Sequence, residues 1–377
     1  MSQDLDLSIE ELTRYSRHLT LPNVGSHGQK KLKKASVLVV GAGGLGAPVL
    51  QYLSTAGIGE IGIVDDDNVD LSNLQRQVIH KLDHVGVNKA VSAGRWIKDI
   101  NPNCAVNIHA ERLTPENVSQ ICLGYDLICD CTDNFPTRYM LNDASLELKV
   151  PYIYGSILGF EGQVSVFNLR NNSPSYRDLV PAPPPNGLMP SCVEGGVLGV
   201  LPGLIGVLQA TEIIKIILGI GKVLDGILLS YNALNMSYRS LVVTNHASSS
   251  SYQESVSVPQ EVELPNNNYI TSQELKHLLD QDSNSLLLVD VRSPAERDIC
   301  FIRNSINYPI DLLIDDDEVV FKLFAQSQLR PVVFYCKSGF RSAKVVGKLL
   351  VRYENIMSLR GGILDWIATV DKTLAPY

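Results

Sequence analysis

The sequence predicts an α/β protein: a doubly wound, mostly parallel sheet with later antiparallel strands, followed by a smaller α/β domain. Strand-like apolar runs alternate with helical patterns through the first half, which is typical of a parallel sheet covered by helices. A polar stretch rich in Ser, Pro and Asn then interrupts this pattern, and the alternation resumes after it. These observations predict an N-terminal domain (1–245), a flexible linker (246–267) and a C-terminal domain (268–377).

The N-terminal domain is predicted to begin with a helical region, 7–34, and then to alternate strand and helix. The predicted parallel strands are SVLVV, EIGIVD, AVNIHAERL and YDLICDCTD. Two later segments, VPYIYGSILGFEGQVSVFN and GILLSYNALNMSYRSLVVT, have the pattern of antiparallel strands. In the C-terminal domain YITSQELKHLL and RSAKVVGKLLVRY are predicted helices, SLLLVDVRS and RPVVFYC are predicted strands, and GGILDWIATV closes the domain.

The composition is that of an ordinary globular protein, with 45% hydrophobic and 19% charged residues among 377. The net charge of −8 argues against nucleic acid as the main partner, because phosphate binding needs a basic surface. Seven scattered cysteines without C-x-x-C spacing favour a reducing compartment, the cytoplasm or an organelle stroma. The N-terminus shows no signal-peptide pattern.

An uncharged run from 195 to 211 is apolar enough to imitate a membrane span. Glycines and a proline interrupt it, and Glu212 and Lys215 end it before the roughly twenty residues that a span needs. We therefore expect a helix buried in a core or a subunit interface, and no membrane association.

A glycine loop lies between the first predicted strand and its helix. Gly41, Gly43 and Gly46 form G-x-G-x-x-G, which permits a tight turn and close approach of backbone amides to a phosphate. Asp65 ends the next strand, where a carboxylate can accept a hydrogen bond from a ribose hydroxyl. Alone, this pattern indicates an adenine nucleotide, and an NAD-dependent dehydrogenase is the first interpretation.

Downstream residues favour a triphosphate instead. Asn73 and Arg76 follow the second strand, Lys89 comes soon after, and cationic side chains suit a charged leaving group. Asp133 follows a strand at the carboxyl edge of the sheet, where a carboxylate can hold Mg²⁺. Singly, each residue is explained as a helix cap or a solvated charge. The ordered set is what favours a nucleotide triphosphate site.

Six ordered motifs make residues 8–244 resemble the ubiquitin-activating-enzyme-like superfamily, above all its molybdopterin-synthase and thiamine-carrier adenylyltransferases. The motifs are RYSRHLTLP, GAGGLGAP, DDDNVDLSNLQRQ, NKA, CTDNFPTRYMLND and PSCVEGGVLGVLPG. The resemblance implies a Rossmann-like enzyme that uses ATP and Mg²⁺ to adenylate the C-terminal glycine of a ubiquitin-like sulfur-carrier protein ending in Gly-Gly. The molybdopterin-synthase small subunit is the first candidate carrier, and the thiamine-pathway carrier is the second.

The same resemblance implies roles for individual residues. The nucleotide contacts of the family correspond here to Gly44, Asp65, Asn73, Arg76 and Lys89. Asp133 matches the family's magnesium-linked aspartate. Arg17 matches an arginine that reaches into the neighbouring subunit's site, which implies a homodimer.

The sequence departs from the superfamily at its structural zinc site, which many members build from two C-x-x-C pairs. Ser175 and Asp178 stand where the first pair is expected, and NHASSSSYQES stands where the second is expected. Because four soft or borderline ligands are needed and none of these thiolates is present, we expect no zinc.

The C-terminal domain resembles the rhodanese family through DVRSPAE, INYPID, CKSGFRS and GGILDW, although the family's usual HIPGA is FIRNS here. Cys336 and Arg341 reproduce the family's loop of a cysteine, four residues and an arginine. We expect the loop amides, Arg341 and the following helix N-terminus to stabilise both a thiolate and a persulfide on Cys336. Asp290 and Arg292 match a strand-end pair with a structural role.

Cys192, in PSCVEGG, matches a position used for covalent transfer elsewhere in the superfamily, and a packed core thiol is an equal alternative. If it reacts, it is the second thiol that releases a thiocarboxylate from an acyl disulfide formed by the Cys336 persulfide. The upstream sulfur donor stays open between a cysteine desulfurase and thiosulfate.

The leading interpretation is therefore a two-domain adenylyltransferase and sulfurtransferase. A dinucleotide-dependent oxidoreductase is the alternative from a different class, but no motif supplies a hydride-acceptor site or a catalytic acid or base for it. A third interpretation is a scaffold with an inactive rhodanese unit, and the intact Cys336 loop argues against it.

Overall fold

The computed structural model describes residues 6–183, 196–245, 264–282, 284–328 and 330–374. The chain forms two compact units, Met1–Val256 and Ser257–Tyr377. Most of the predicted linker, 246–263, lies outside the described residues. At its far end Leu264 is buried in a core of the second unit, so this residue belongs to a packed domain.

The first unit contains an eight-stranded sheet with the order β3-β2-β1-β4-β5-β6-β7-β8. Its strands are β1 (Ser36–Val40), β2 (Glu60–Val64), β3 (Ala105–His109), β4 (Leu127–Asp130), β5 (Tyr152–Leu158), β6 (Glu161–Phe167), β7 (Ile227–Asn232) and β8 (Ser237–Val242). The strands β1 to β5 pair in parallel, and β6, β7 and β8 continue the sheet in antiparallel pairing. The predicted mostly parallel sheet with later antiparallel strands is confirmed.

Helices cover this sheet on both faces. They are α1 (Ile9–Arg14), α2 (Ser16–Leu19), α3 (Gly25–Lys34), α4 (Gly46–Ala56), α5 (Lys89–Ile100), α6 (Val118–Cys122), α7 (Phe135–Leu148), α8 (Tyr176–Leu179) and α9 (Leu201–Leu218). The region predicted as helical at 7–34 is three helices. Pro22 accounts for the gap before α3, because proline lacks an amide hydrogen and disfavours helical backbone in the residue before it.

The central strand β1 shows why the sheet is buried on both sides. All five of its residues are buried, and alternate residues enter different cores. Val37 and Val39 pack in one cluster, and Leu38 and Val40 pack in the other. A continuous apolar run is therefore needed here, where a half-exposed strand would alternate with polar residues.

The apolar helix α9 packs in the core of the first unit. In the described part of the chain it is the one helix with the length and hydropathy of a membrane span, and half of it is buried inside the protein. Glu212 lies within it, nearly buried, and accepts hydrogen bonds from Lys215 Nζ at 2.5 Å and from the Leu224 amide at 2.8 Å. The carboxylate thus anchors the turn that follows the helix.

The second unit contains a five-stranded, all-parallel sheet with the order β11-β10-β12-β13-β9. Its strands are β9 (Tyr269–Ile270), β10 (Leu287–Asp290), β11 (Ile306–Asn307), β12 (Val332–Tyr335) and β13 (Ile356–Leu359). Its helices are α10 (Ser272–Gln281), α11 (Pro294–Ile299), α12 (Ile310–Asp315), α13 (Asp317–Ser327), α14 (Phe340–Leu349) and α15 (Gly362–Thr369). The predicted helix YITSQELKHLL begins only after β9, because Thr271 and Glu274 form its N-terminal capping box.

Candidate functional site

A cleft with a volume of about 330 Å³ opens at the carboxyl ends of β1, β2 and β4, where ligands of doubly wound sheets bind. Of the residues predicted from the sequence, seven line it: Gly41, Gly43, Gly44, Asp65, Arg76, Lys89 and Asp133. Further polar lining residues are Asp66, Asp67, Gln77, Glu111, Arg112, Thr132, Asn134, Thr137 and Arg138. Cations and carboxylates therefore face the same cavity.

The glycine loop after β1 has glycines where the packing requires them. Gly41 has φ +95°, and its amide donates to the Val64 carbonyl at 2.8 Å. A Cβ at Gly46 would lie 1.9 Å from the Gly41 oxygen, so α4 starts in direct contact with the loop. Gly46 thus shapes the turn but does not line the cleft, whereas Gly43 and Gly44 do.

Asp65 fastens the glycine loop to the end of β2. Its carboxylate accepts hydrogen bonds from the Ala42 amide at 2.8 Å and the Asp67 amide at 2.9 Å. Burial raises the pKa of Asp65, while the Lys89 ammonium and both amides act in the opposite direction. The carboxylate is therefore fixed at the edge of the cleft before any ligand arrives.

His80 supports the same loop from the protein interior, a role that the sequence did not predict. Its Nε2 lies 2.9 Å from the Ala42 carbonyl oxygen, and its Nδ1 lies 2.8 Å from Ser92 Oγ. Since a carbonyl only accepts, the proton is on Nε2 and the Ser92 hydroxyl donates to Nδ1. His84 Nδ1, 2.8 Å from Ser92 Oγ, completes a chain of three side chains behind the loop.

The predicted phosphate-binding side chains are held in different ways. Lys89 is the first residue of α5, is nearly buried, and pairs with Asp67 at 2.7 Å. Arg76 Nη1 donates to the Ser72 carbonyl at 3.1 Å. Asn73 does not line the cleft; its Oδ1 accepts from the Asp70 amide at 3.2 Å and closes a short turn.

Arg138, on α7, is a cleft residue that sequence reasoning missed. Its Nη2 donates to the Thr132 carbonyl at 3.0 Å, and its guanidinium lies over the Tyr154 ring at 5.3 Å. The side chain is nearly buried, and its Nε has no hydrogen-bond partner among the described residues. The signal was present in CTDNFPTRYMLND, where this arginine stands five residues after Asp133.

Two aspartates at the end of β4 have different environments. Asp130 is fully buried, and it accepts from Tyr152 Oη at 2.5 Å and from the Thr132 amide at 2.9 Å. Burial raises the pKa of Asp130, and Arg138 opposes this. Asp133 is exposed in the cleft. Asp130 thus orders the strand end, and Asp133 is one of the exposed carboxylates that line the cleft.

Three further predicted features are not among the residues that line the cleft in the described part of the chain. Arg17, on α2, is exposed and does not line the cleft of its own chain. Cys192 lies outside the described residues. Ser175 and Asp178, which stand where the resemblance led us to expect the first C-x-x-C pair, form a capping box, since the Ser175 amide donates to Asp178 Oδ2 at 2.7 Å.

In the second unit, the cysteine loop follows β12. Cys336 is buried, and its Sγ accepts a hydrogen bond from the Gly339 amide at 3.1 Å and lies 3.6 Å from the Ser342 hydroxyl. Gly339, with φ +94°, precedes α14, so the sulfur also faces a helix N-terminus. An amide and a hydroxyl thus converge on the sulfur.

A second loop, after β13, donates backbone hydrogen bonds to the cysteine loop. The Ile363 amide donates to the Cys336 carbonyl at 2.9 Å, and the Leu364 amide donates to the Lys337 carbonyl at 3.1 Å. Gly362 has φ +60°, and a Cβ there would lie 2.5 Å from both of these carbonyl oxygens. The motif GGILDW is therefore the support of the cysteine loop.

Arg341 has a carboxylate partner that the sequence interpretation did not include. Its Nη1 and Nη2 donate to Glu296 Oε2 and Oε1 at 2.8 and 2.6 Å, which makes a bidentate ion pair. The two side chains are only 15% and 10% exposed. The guanidinium assigned to the sulfur is thus also bound to a buried carboxylate.

Asp290 and Arg292 form a second, bidentate ion pair that is fully inaccessible to solvent. Arg292 Nε and Nη2 donate to Asp290 Oδ1 and Oδ2 at 2.8 and 2.6 Å. Tyr335 Oη donates to Asp290 Oδ2 at 3.0 Å. Burial raises the pKa of Tyr335 to about 12, so it remains a donor at neutral pH. This network links the ends of β10 and β12.

Each of the two structural units matches a known protein family. Residues 15–252 match the ThiF family, and residues 271–369 match the rhodanese-like domain. The chain belongs to the ThiF family and carries a C-terminal rhodanese-like domain.

The whole chain also has similar relatives. It is 46% identical to "Probable adenylyltransferase/sulfurtransferase MoeZ" of Mycobacterium tuberculosis, over 98% of this chain and 96% of that protein. It is 40% identical to "Probable molybdopterin-synthase adenylyltransferase" of Porphyra purpurea, over 95% and 94%. Among solved structures, E. coli MccB with ATP is similar in fold, with a TM-score of 0.54 and 23% identity over 62% of this chain and 72% of that chain. The domain pair is therefore that of an adenylyltransferase joined to a sulfurtransferase.

Proposed function

We propose that this protein adenylates the C-terminal glycine of a ubiquitin-like sulfur-carrier protein and then converts it into a thiocarboxylate. The observation that carries the proposal is the presence, on one chain, of a glycine-loop cleft with cationic side chains and a cysteine loop with convergent donors. The first makes an activated acyl group, and the second supplies sulfur to attack it. A scaffold with an inactive rhodanese unit would not need a sulfur that faces an amide and a hydroxyl.

In the first reaction the carrier carboxylate attacks the α-phosphorus of ATP, and pyrophosphate leaves. The loop amides near Gly43 and Gly44 line the cleft beside Arg76 and Lys89, so donors and positive charge meet the phosphates where negative charge develops. A Mg²⁺ ion bound to the phosphates would find the exposed carboxylate of Asp133. No side-chain nucleophile is needed, since positioning and charge neutralisation suffice.

In the second reaction a persulfide on Cys336 attacks the acyl carbon, AMP leaves, and an acyl disulfide forms. A second thiol then breaks that S–S bond, releasing the thiocarboxylate and leaving a disulfide on the enzyme. Cys192 is our candidate for this thiol. A tether raises the effective concentration of the persulfide at the adenylate.

The carrier that we propose first is the small subunit of molybdopterin synthase, in the synthesis of the molybdenum cofactor, with the thiamine-pathway carrier second. The name of the Porphyra relative supports this order. We further propose a homodimer, magnesium rather than zinc as the metal, and a reducing compartment such as the cytoplasm. The six described cysteines are all free thiols, which supports the last point.

The experiment is ATP–pyrophosphate exchange with a panel of carriers, followed by mass spectrometry of each carrier. Asp133→Ala should reduce carrier-dependent exchange by at least about a hundredfold, the cost of losing a contact to developing charge. Asp83→Ala, an exposed aspartate outside the cleft, is the matched control and should keep it. Cys336→Ala should keep exchange but lose the replacement of oxygen by sulfur on the carrier. Normal exchange in Asp133→Ala, or full thiocarboxylation by Cys336→Ala without an added sulfur donor protein, would contradict the proposal.

A further inference from the structure

The ion pair between Glu296 and Arg341 bears on which sulfur donors the cysteine loop accepts. Arg341 is the second residue of α14, the helix that begins directly after Gly339, whose amide donates to Cys336 Sγ. Each guanidinium Nη atom donates one hydrogen bond to Glu296, at 2.8 and 2.6 Å. With 15% and 10% exposure the pair is largely removed from solvent, so water screens it less than it would a surface pair.

A donor that carries a high negative charge gains little from an arginine whose charge is already neutralised. Such a donor would share the charge of Arg341 with a carboxylate held in fixed geometry, and it would also be repelled by that carboxylate. A donor of lower charge is penalised less. We propose that Glu296 is a specificity-determining residue that biases sulfur transfer against dianionic donors and toward donors of lower charge, such as a persulfide. The proposal rests on the proposed role of Cys336 as the persulfide carrier.

The transfer step is the same for each donor. The Cys336 thiolate attacks the sulfane sulfur of the donor, the S–S bond between that sulfur and its neighbouring sulfur breaks, and the leaving group takes the electron pair. The leaving group is sulfite when thiosulfate is the donor, methanesulfinate when methanethiosulfonate is the donor, and a thiolate when a persulfide is the donor. No external oxidant or reductant is needed. Thiosulfate and methanethiosulfonate therefore form a matched pair of probes that transfer the same atom but differ by one negative charge.

Glu296 also has a structural role, which the test must separate from its charge. It closes the capping box of α11, in which the Ser293 amide donates to Glu296 Oε2 at 3.0 Å. Glutamine can occupy the same position of a capping box. Glu296→Gln thus removes the charge and leaves an oxygen for both Ser293 and Arg341. Ser293→Ala is the matched control, because it removes the hydroxyl of the box and leaves the ion pair intact.

The experiment measures kcat/KM for thiosulfate and for methanethiosulfonate with the full-length protein and cyanide as acceptor. Glu296→Gln should raise the thiosulfate-to-methanethiosulfonate ratio by about tenfold, the effect of one unit charge in a partly screened site. Ser293→Ala should leave the ratio within about twofold of the wild type even if its melting temperature falls. A ratio unchanged by Glu296→Gln would overturn the proposal and leave Glu296 a structural residue.

Two further variants keep the test decisive. If Glu296→Gln shows no cooperative unfolding transition and is therefore not folded, the same comparison is made in an Arg341→Gln background. Removing the Glu296 carboxylate there should again raise the thiosulfate-to-methanethiosulfonate ratio, and an unchanged ratio again refutes the inference. Cys336→Ala examines the proposed function separately. Loss of transfer from both donors in that variant supports the persulfide role, whereas retained transfer removes that role and this inference with it.

Discussion

At the scale of single residues, the side chains that the sequence identified are those whose signals are local. Gly41, Gly43 and Asp65 follow from the spacing of a loop against two strands, and the structure places them in one cleft. Glu296 could not be found in this way, because it is forty-five positions from its partner Arg341. Only the fold of the second unit brings the two together.

His80 is a second residue whose role sequence reasoning did not predict, and its contact with the glycine loop leads to a prediction for nucleotide binding. His80→Ala should raise the KM for ATP by about tenfold with a smaller change in kcat, because the buried Ala42 carbonyl loses its donor and such groups cost about 1–3 kcal/mol. His80→Gln offers an N–H near the Nε2 position and should recover part of the affinity. ATP titrations in the exchange assay measure both. Equal KM values for His80→Ala and the wild type would show that the contact does not position the loop.

The same histidine gives stability a pH dependence. Burial lowers the pKa of His80 below its ordinary value, and the nearby charges of Lys89 and His84 add to this. A histidine with a lowered folded-state pKa stabilises the fold fully above its unfolded pKa, about 6.5, and loses that contribution as pH falls through the folded-state value. The melting temperature should therefore fall less between pH 7.5 and pH 5.5 in His80→Gln than in the wild type. An identical fall in both proteins would mean that other groups dominate.

At the scale of elements, the fold class followed from the sequence because strand and helix patterns differ in period and because a buried parallel strand such as β1 is continuously apolar. Boundaries were less accurate. The region 7–34 was predicted as helical throughout and contains three helices, since capping and Pro22 decide where each ends. The strand at Tyr269–Ile270 was missed because two residues carry no period.

The loop after β13 gives a prediction about how one element supports another. Gly361→Ala and Gly362→Ala both place a side chain at positive φ, which costs about 1–3 kcal/mol. They differ in what the new Cβ meets: Asp365 for the first, and the carbonyls of Cys336 and Lys337 for the second. Both variants should lower the melting temperature of the second unit, but Gly362→Ala should reduce thiosulfate sulfurtransferase activity at least about tenfold further. Pyrophosphate exchange should survive in both. Equal loss of sulfur transfer would mean that strain, and not displacement of the cysteine loop, is responsible.

At the scale of the whole molecule, the two units have separate cores; the proposed adenylation uses residues of the first unit, and the proposed persulfide is carried by a residue of the second. This separation explains why variants of the cleft and of the cysteine loop should be distinguishable in two assays on the same protein. Sequence reasoning named seven of the residues that line the cleft, but it did not include the arginine and the buried aspartate that order its β4 side. Arg138 stands in the motif CTDNFPTRYMLND, but its contacts with Tyr154 and Asp130 arise only when α7 packs against the strands.

The last prediction concerns a second copy of the chain. Arg17 is exposed on α2 and does not line its own cleft, although the family resemblance implies a role at the nucleotide. If it reaches the cleft of a partner, Arg17→Ala and Asp133→Ala homodimers should each be inactive, and hybrid dimers should hold one site with both wild-type residues. With random mixing half of the dimers are hybrids, so about one site in four should be active. Co-expression with two affinity tags isolates the hybrids, and carrier-dependent exchange measures their activity. Purified hybrids that remain as inactive as either parent would place Arg17 outside the site.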